Sequence, residues 1–414
     1  MFTRTKNIWQ LCIILTMMSA FVKAQSLDDY LKIAAENNPG VKAAYLEFEA
    51  SMQRLPQVSS LPDPALSMSA LGQMIETRVG TQEARFSLMQ SFPWFGTLKA
   101  KKEVAALEAD AKFQAYLDRR NELFFKVKTA YYELYEVKHH IHHKMANGRI
   151  LETFRTLALS KFENGTAPMT DVIRVDIMQN DNRTDIEIFQ DSRKPIEVQF
   201  NRLLNRPDTL FVSIPDSIPM LFDKEIVLSQ QNLSENPRVQ QWDKKMQAAQ
   251  AQEKVAVKSG FPDFGLGIDY SIISERSDVN FSDNGQDAIM PVVSISLPIF
   301  RKKYKAAQQE ANLLQKAYSE MKTETENQLS STWETNLFEL EKAQKQIELY
   351  QSQTQKTQQT LELILSAYEN GTADIQEILT IQQQLIKYKM AVSASFRKYM
   401  VTKSYLDYLN GKTQ

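Results

Sequence analysis

Cysteine is almost missing from this chain: its 414 residues hold one, Cys12. Disulfide frameworks and thiolate metal centres are thereby excluded, and the fold must be held by packing alone. Glycine and proline are also scarce, at 12 and 14 residues. From Thr97 to Glu163 there is no proline and a single glycine, Gly148, and from Arg301 to Glu369 there is neither. Two very long helices follow, because helix-breaking residues are absent and Ala, Leu, Glu, Lys and Gln dominate. A surplus of charge is lacking too. The formal net charge is −1, which gives no footprint for nucleic acid or anionic lipid. Beyond the N-terminus no apolar run approaches the roughly 18 residues of a membrane-spanning helix, so any membrane contact must be made by strands.

The exception lies at the N-terminus. Arg4 and Lys6 precede an apolar run from Ile8 to Phe21, and Val22-Lys23-Ala24 follows it. This is the layout of a signal peptide over residues 1–24 with a mature chain beginning at Gln25. The alternative, a membrane anchor, needs a longer run. Cleavage there removes Cys12 and three cations.

What the chain has is a repeat. Lys161-Phe162-Glu163-Asn164-Gly165-Thr166-Ala167 returns as Ala367-Tyr368-Glu369-Asn370-Gly371-Thr372-Ala373. Asn38-Pro39 matches Asn236-Pro237, Pro62-Asp63 matches Pro262-Asp263, and Phe92-Pro93 matches Leu297-Pro298. Four landmarks in one order indicate a duplicated unit. Each unit reads as short helix, strand, loop, strand, long helix, turn, helix. The first repeat is assigned to 25–205, a proline-rich linker to 206–225, and the second repeat to 226–414. Pro195 is expected to kink the descending helix of the first copy.

At 1.5 Å per residue each long helix measures roughly 100 Å. In the second, Leu337, Leu340, Ile347, Tyr350, Thr354, Leu361, Leu365 and Tyr368 recur near the 3.5 spacing of a coiled-coil seam. Helices over 40–60 and 169–204 are expected to lie end to end beside the first.

Between helices the period changes to two. Phe264, Leu266, Ile268, Tyr270 and Ile272 alternate with Gly265, Gly267, Asp269 and Ser271, and similar alternation marks 288–298 and 84–93, with a weaker strand over 63–73. Residues 73–82 and 274–287 read as polar loops. Strands of about ten residues with one apolar face suit a transmembrane barrel, whereas a soluble sheet packed on helices shows the same period. Four strands cannot close a barrel, since the smallest use about eight, so closure requires several copies. Three copies supply twelve strands.

On the duplication, the strand pair before each long helix, Phe92-Pro93-Trp94-Phe95-Gly96, and the Gly-Thr turns followed by Asp171-Val172-Ile173 and Glu377-Ile378-Leu379, the chain resembles the TolC-like outer-membrane efflux protein family. The resemblance implies a mainly α fold with a small transmembrane β part: duplicated long-helix hairpins forming a periplasmic α-helical barrel, and four strands per chain in a trimeric 12-stranded barrel. It implies a homotrimer in the outer membrane of a Gram-negative cell, contacting outer-membrane lipid and extending into the periplasm. Its partners would be a periplasmic adaptor protein and an inner-membrane efflux transporter. The implied role is a passive exit duct for an efflux pump, with metal cations or drugs as cargo, or alternatively a duct for type I protein secretion. A soluble periplasmic coiled-coil scaffold and a pore-forming toxin are the readings outside that class.

The resemblance also points to Asp171 and Glu377 as the periplasmic aperture and to Gly165, Thr166, Tyr368, Gly371 and Thr372 as the tip turns. Where the family carries an arginine that ties down the second turn this chain has Ala373, and one turn past Glu377 it has Thr380. Glycine in a left-handed helix cap explains Asn164-Gly165-Thr166 and Asn370-Gly371-Thr372 better than glycosylation does. All four histidines, His139, His140, His142 and His143, fall within seven residues. On a helix His139 with His143, and His140 with His143, share a face at metal-ligand spacing, and a solvated helix face is the alternative. No phosphate loop, nucleophile triad or paired-carboxylate site stands out, so neither an enzyme nor a cofactor is expected.

Overall fold

A computed structural model describes residues 25–220, 222, 233–278 and 280–411, with the side chains of 71–74 excepted. The expected leader, Cys12 and part of the linker lie outside them. Among the described residues eight helices and four strands follow in the order α1 (Leu27–Asn37), α2 (Pro39–Met52), α3 (Arg54–Ser59), β1 (Ala65–Thr77), β2 (Gly80–Phe92), α4 (Thr97–Glu163), α5 (Met169–Leu203), α6 (Pro237–Lys258), β3 (Asp263–Ser274), β4 (Ala288–Ser296), α7 (Arg301–Glu369) and α8 (Ile375–Leu409). Among the described residues no helix is long and apolar enough to cross a membrane.

Two compact units divide the chain, and each is assembled from both copies: one from residues 1–43, 117–236 and 327–414, the other from 44–116 and 237–326. In the first, Tyr30 packs edge-on against Phe200 at 5.0 Å, and Arg206 lies over the Tyr30 ring at 5.0 Å. The connector after α5 is part of this core. Val212 and Ile214 are buried, the Ser213 N–H donates to the Tyr30 hydroxyl at 2.9 Å, and Lys138 on α4 donates to the Ile214 carbonyl at 2.6 Å. Of the expected α7 seam Leu340, Ile347, Leu361 and Tyr368 are buried and Leu337, Tyr350, Thr354 and Leu365 half-buried, while Leu363, off the seam, is exposed; Trp333, which the seam did not include, is also buried. Pro195 sits inside α5 without ending it.

A buried amide chain sets the register of three of these helices. Gln382 of α8 donates to Asn147 of α4 at 2.6 Å, Asn147 donates to Asn182 of α5 at 2.9 Å, and Asn182 donates to the Lys144 carbonyl at 3.0 Å. Amides buried this way must meet each other, since an unpaired one costs about 1–3 kcal/mol.

In the other unit the strands form one antiparallel sheet in the order β1-β2-β3-β4. Here the structure corrects the sequence reading. Residues 73–82 are not an open loop: β1 runs on to Thr77, β2 starts at Gly80, and Thr77 pairs with Gly80 across Arg78 and Val79. The polar stretch hid two strand ends because ladder hydrogen bonds need no apolar face. The second hairpin does carry a loop, tied to the turn of the first by the Gly285 N–H donating to the Val79 carbonyl at 2.7 Å.

Candidate functional site: the sheet faces, the helical tips and the histidines

Antiparallel pairing puts Leu66, Leu88 and Ile268 side by side, and Met68, Phe86, Tyr270 and Ile289 beside them. This apolar face is the exposed one. Met68 is 69 % exposed, Leu266 55 % and Val293 68 %, whereas Asp269 and Ser271 on the opposite face are each 3 % exposed. A sheet designed for water has the reverse burial. On the polar face Arg85 pairs with Asp269, and Gln82 donates to the Ser271 hydroxyl at 2.9 Å. Trp94 stacks on Phe261 at 5.0 Å and Phe264 at 5.8 Å at one end of the sheet, beside an exposed Phe95.

The two tip turns are built alike. After α4, Gly165 takes φ +68°, the Gly165 N–H donates to the Phe162 carbonyl and the Thr166 N–H to the Lys161 carbonyl at 2.8 Å. After α7, Gly371 takes φ +78°, with the corresponding bonds to Tyr368 and Ala367. The threonine hydroxyls repeat the match, each donating 3.0 Å to the same carbonyl as its own N–H. Both are left-handed glycine caps. Lys161 joins the two turns: its ammonium lies 4.1 Å from the Tyr368 ring centroid and donates to the Tyr368 carbonyl. Ala373 packs on the apolar cluster of Phe154, Val175, Ile375 and Ile378.

Asp171 and Glu377 both stand in the first turn of their helices. Their surroundings differ. Asp171 is buried, and that burial, reinforced by the charge of Asp374, raises its pKa above the usual carboxylate range, while Arg174 at 4.0 Å pulls it back. Glu377 is exposed. Asp374, which the sequence reading passed over, caps α8 by accepting from the Gln376 N–H at 3.0 Å. Its position directly before the apolar Ile375 was the available signal.

The histidines do not converge as a set of four. His139 and His143 have ring centroids 6.1 Å apart, and His142 and His143 5.9 Å, but His140 turns away toward Phe189 at 5.1 Å and the Met390 carbonyl at 3.3 Å. Among the described residues no group of three or more His, Cys, Asp or Glu side chains is placed to hold a metal ion. Nor is this a solvated face: only His142 is exposed. Burial lowers the pKa of His139, His140 and His143, in His143 to about 4.

Comparison with known proteins agrees with this geometry. Residues 228–397 match the model of the family described as outer membrane efflux protein. No curated protein matches the sequence. Among solved structures, the outer membrane protein VceC from Vibrio cholerae shares 17 % identity, covers 93 % of this chain and 96 % of its own, and superposes with a TM-score of 0.74. CusC does so with 17 % identity, 95 % and 93 % coverage and a TM-score of 0.73. The open-state outer membrane channel MtrE of Neisseria gonorrhoeae gives 17 % identity, 93 % and 88 % coverage and 0.70. CusC forms a transmembrane channel, and MtrE is an outer membrane channel. The chain therefore has the fold of the TolC-like outer-membrane channels. Its likeness to the outer-membrane efflux family is carried in sequence by the second repeat and in fold by nearly the whole chain.

Proposed function

We propose that the chain is the outer-membrane exit duct of a tripartite efflux system, working as a homotrimer. The observation that carries this reading is the sheet whose apolar face is exposed while Asp269 and Ser271 are buried behind it. Such a face is stable against lipid acyl chains and costly in water. The order β1-β2-β3-β4 leaves β1 and β4 each with one neighbour, and an open edge in lipid is not viable. Three copies joined edge to edge complete twelve strands, with the Arg85 and Asp269 face turned to an aqueous lumen. The helices carry the conduit into the periplasm, where an adaptor and an inner-membrane pump supply cargo and energy. Asp171 and Glu377, repeated by threefold symmetry, set an acidic aperture at the tips that prefers cations.

The test is fractionation followed by planar-bilayer recording. The protein should sediment with outer membranes, require detergent, and give cation-preferring conductance steps. Asp171→Asn combined with Glu377→Gln should lower cation selectivity and raise the resting current. Release with soluble periplasmic protein and no conductance would overturn the duct. Wild-type selectivity and current in the double variant would move the aperture elsewhere.

A further inference from the structure

Away from the sheet faces and the tips, α2, α3, α4, α6 and α7 line a pocket of about 410 Å³ that is open to solvent on one side. Its walls carry three cations, Arg54, Lys112 and Lys245, and one carboxylate, Glu108. Arg54 is matched by Glu108 at 2.9 Å, and Lys112 by Glu47 at 2.8 Å. Lys245 has no carboxylate among the described residues. Its ammonium lies 4.2 Å from the Trp242 ring centroid, and Trp242 stacks in turn on Tyr318 at 6.0 Å. Burial, with a smaller contribution from the charge of Lys112, pushes the Lys245 pKa below the ordinary lysine value. A half-buried ammonium beside a second cation is unfavourable for the empty protein and is relieved by one bound negative charge. The rest of the lining, notably Ala248, Leu314 and the Tyr318 ring, is mostly apolar, and the volume suits a small organic molecule.

We propose that this pocket binds a small organic anion, a carboxylate or sulfonate on an aromatic or alkyl body, with the acid group between Lys245 and Lys112 and the body against Tyr318 and Leu314. A charge-assisted hydrogen bond from Lys245 fixes the head group, and apolar contact holds the body. The site is independent of the tip acids and of the duct reading, since it rests on one cluster of helices within a single unit.

Titration calorimetry of the full-length protein in lipid nanodiscs tests it, with naphthalene-2-sulfonate as the probe. Wild type should bind one probe per chain, and added salt should weaken binding. Lys245→Gln should weaken it about 10- to 100-fold, and Lys245→Arg, which keeps the charge, should retain it. Neutral 2-methylnaphthalene should not compete. Lys245→Gln protein with wild-type helicity and unchanged affinity would overturn the proposal. So would equal binding of the neutral compound, or no binding of the probe to wild type.

Discussion

Titratable residues at two places on the helical part respond to acid in opposite senses. His143 is held neutral, with its pKa near 4, by burial first and then by His139, His142, Lys389 and His140. The unfolded chain binds its proton near the ordinary histidine value of about 6.5, so between roughly pH 6.5 and 4 the unfolded state holds more protons and stability falls as pH falls. Asp171 is raised by burial and by Asp374, so it favours the folded state below the ordinary carboxylate range and loses that contribution as pH rises through its own pKa. Hydrogen exchange of α4 amides around 139–147, followed from pH 7 to 4, should show protection decreasing on acidification, and His143→Gln should flatten that slope. The same slope in the variant would assign it to another group. The spacing of the histidines was readable in the sequence. Their orientation was not, because His140 is turned by contacts with Phe189 and Met390 that lie about 50 and 250 residues away in the chain.

Among elements, the sheet offers the sharpest contrast. If the face bearing Ile268, midway along β3, meets lipid, Ile268→Arg should cost about 2–4 kcal/mol in urea unfolding from lipid vesicles, the range for arginine near the bilayer midplane. Ser67→Arg, on the opposite face of β1, should cost far less. Equal costs would mean that neither face is against lipid. The ends of the two long helices were legible to the residue, since α4 and α7 stop at Glu163 and Glu369, each followed by an Asn-Gly-Thr cap, whereas the helix expected over 40–60 is two, α2 and α3, broken at Gln53. The ends of β1 and β2 were not, because Gln73, Glu76, Thr77, Thr81 and Gln82 have the composition of a loop. Their strand character comes from the partner strand, visible only in the pairing of Ile75 with Gln82 and Glu76 with Thr81.

At the scale of the whole molecule, closure between copies is the central expectation. Cysteines on β1 and β4 test it cleanly, because Cys12 is the one cysteine in the sequence and lies in the expected leader. Ser67→Cys combined in turn with Ala288→Cys, Val292→Cys or Ser296→Cys should give, for at least one pair, a disulfide-linked trimer on oxidation. Monomer in every pair would argue against edge-to-edge assembly. By itself the sequence determined the duplication, the helix lengths and the two-residue alternation of the strands, all of which are local periodicities written in residue order. Only the tertiary structure decided which strand face is buried, because a period of two is unchanged when the two sides are exchanged. It also decided where Arg54, Lys112 and Lys245 meet, how Lys161 bridges the two tips, and that Asp374 rather than Glu377 acts on Asp171. Such meetings depend on how helices far apart in the chain are rotated against each other, and packing of their apolar stripes fixes that rotation.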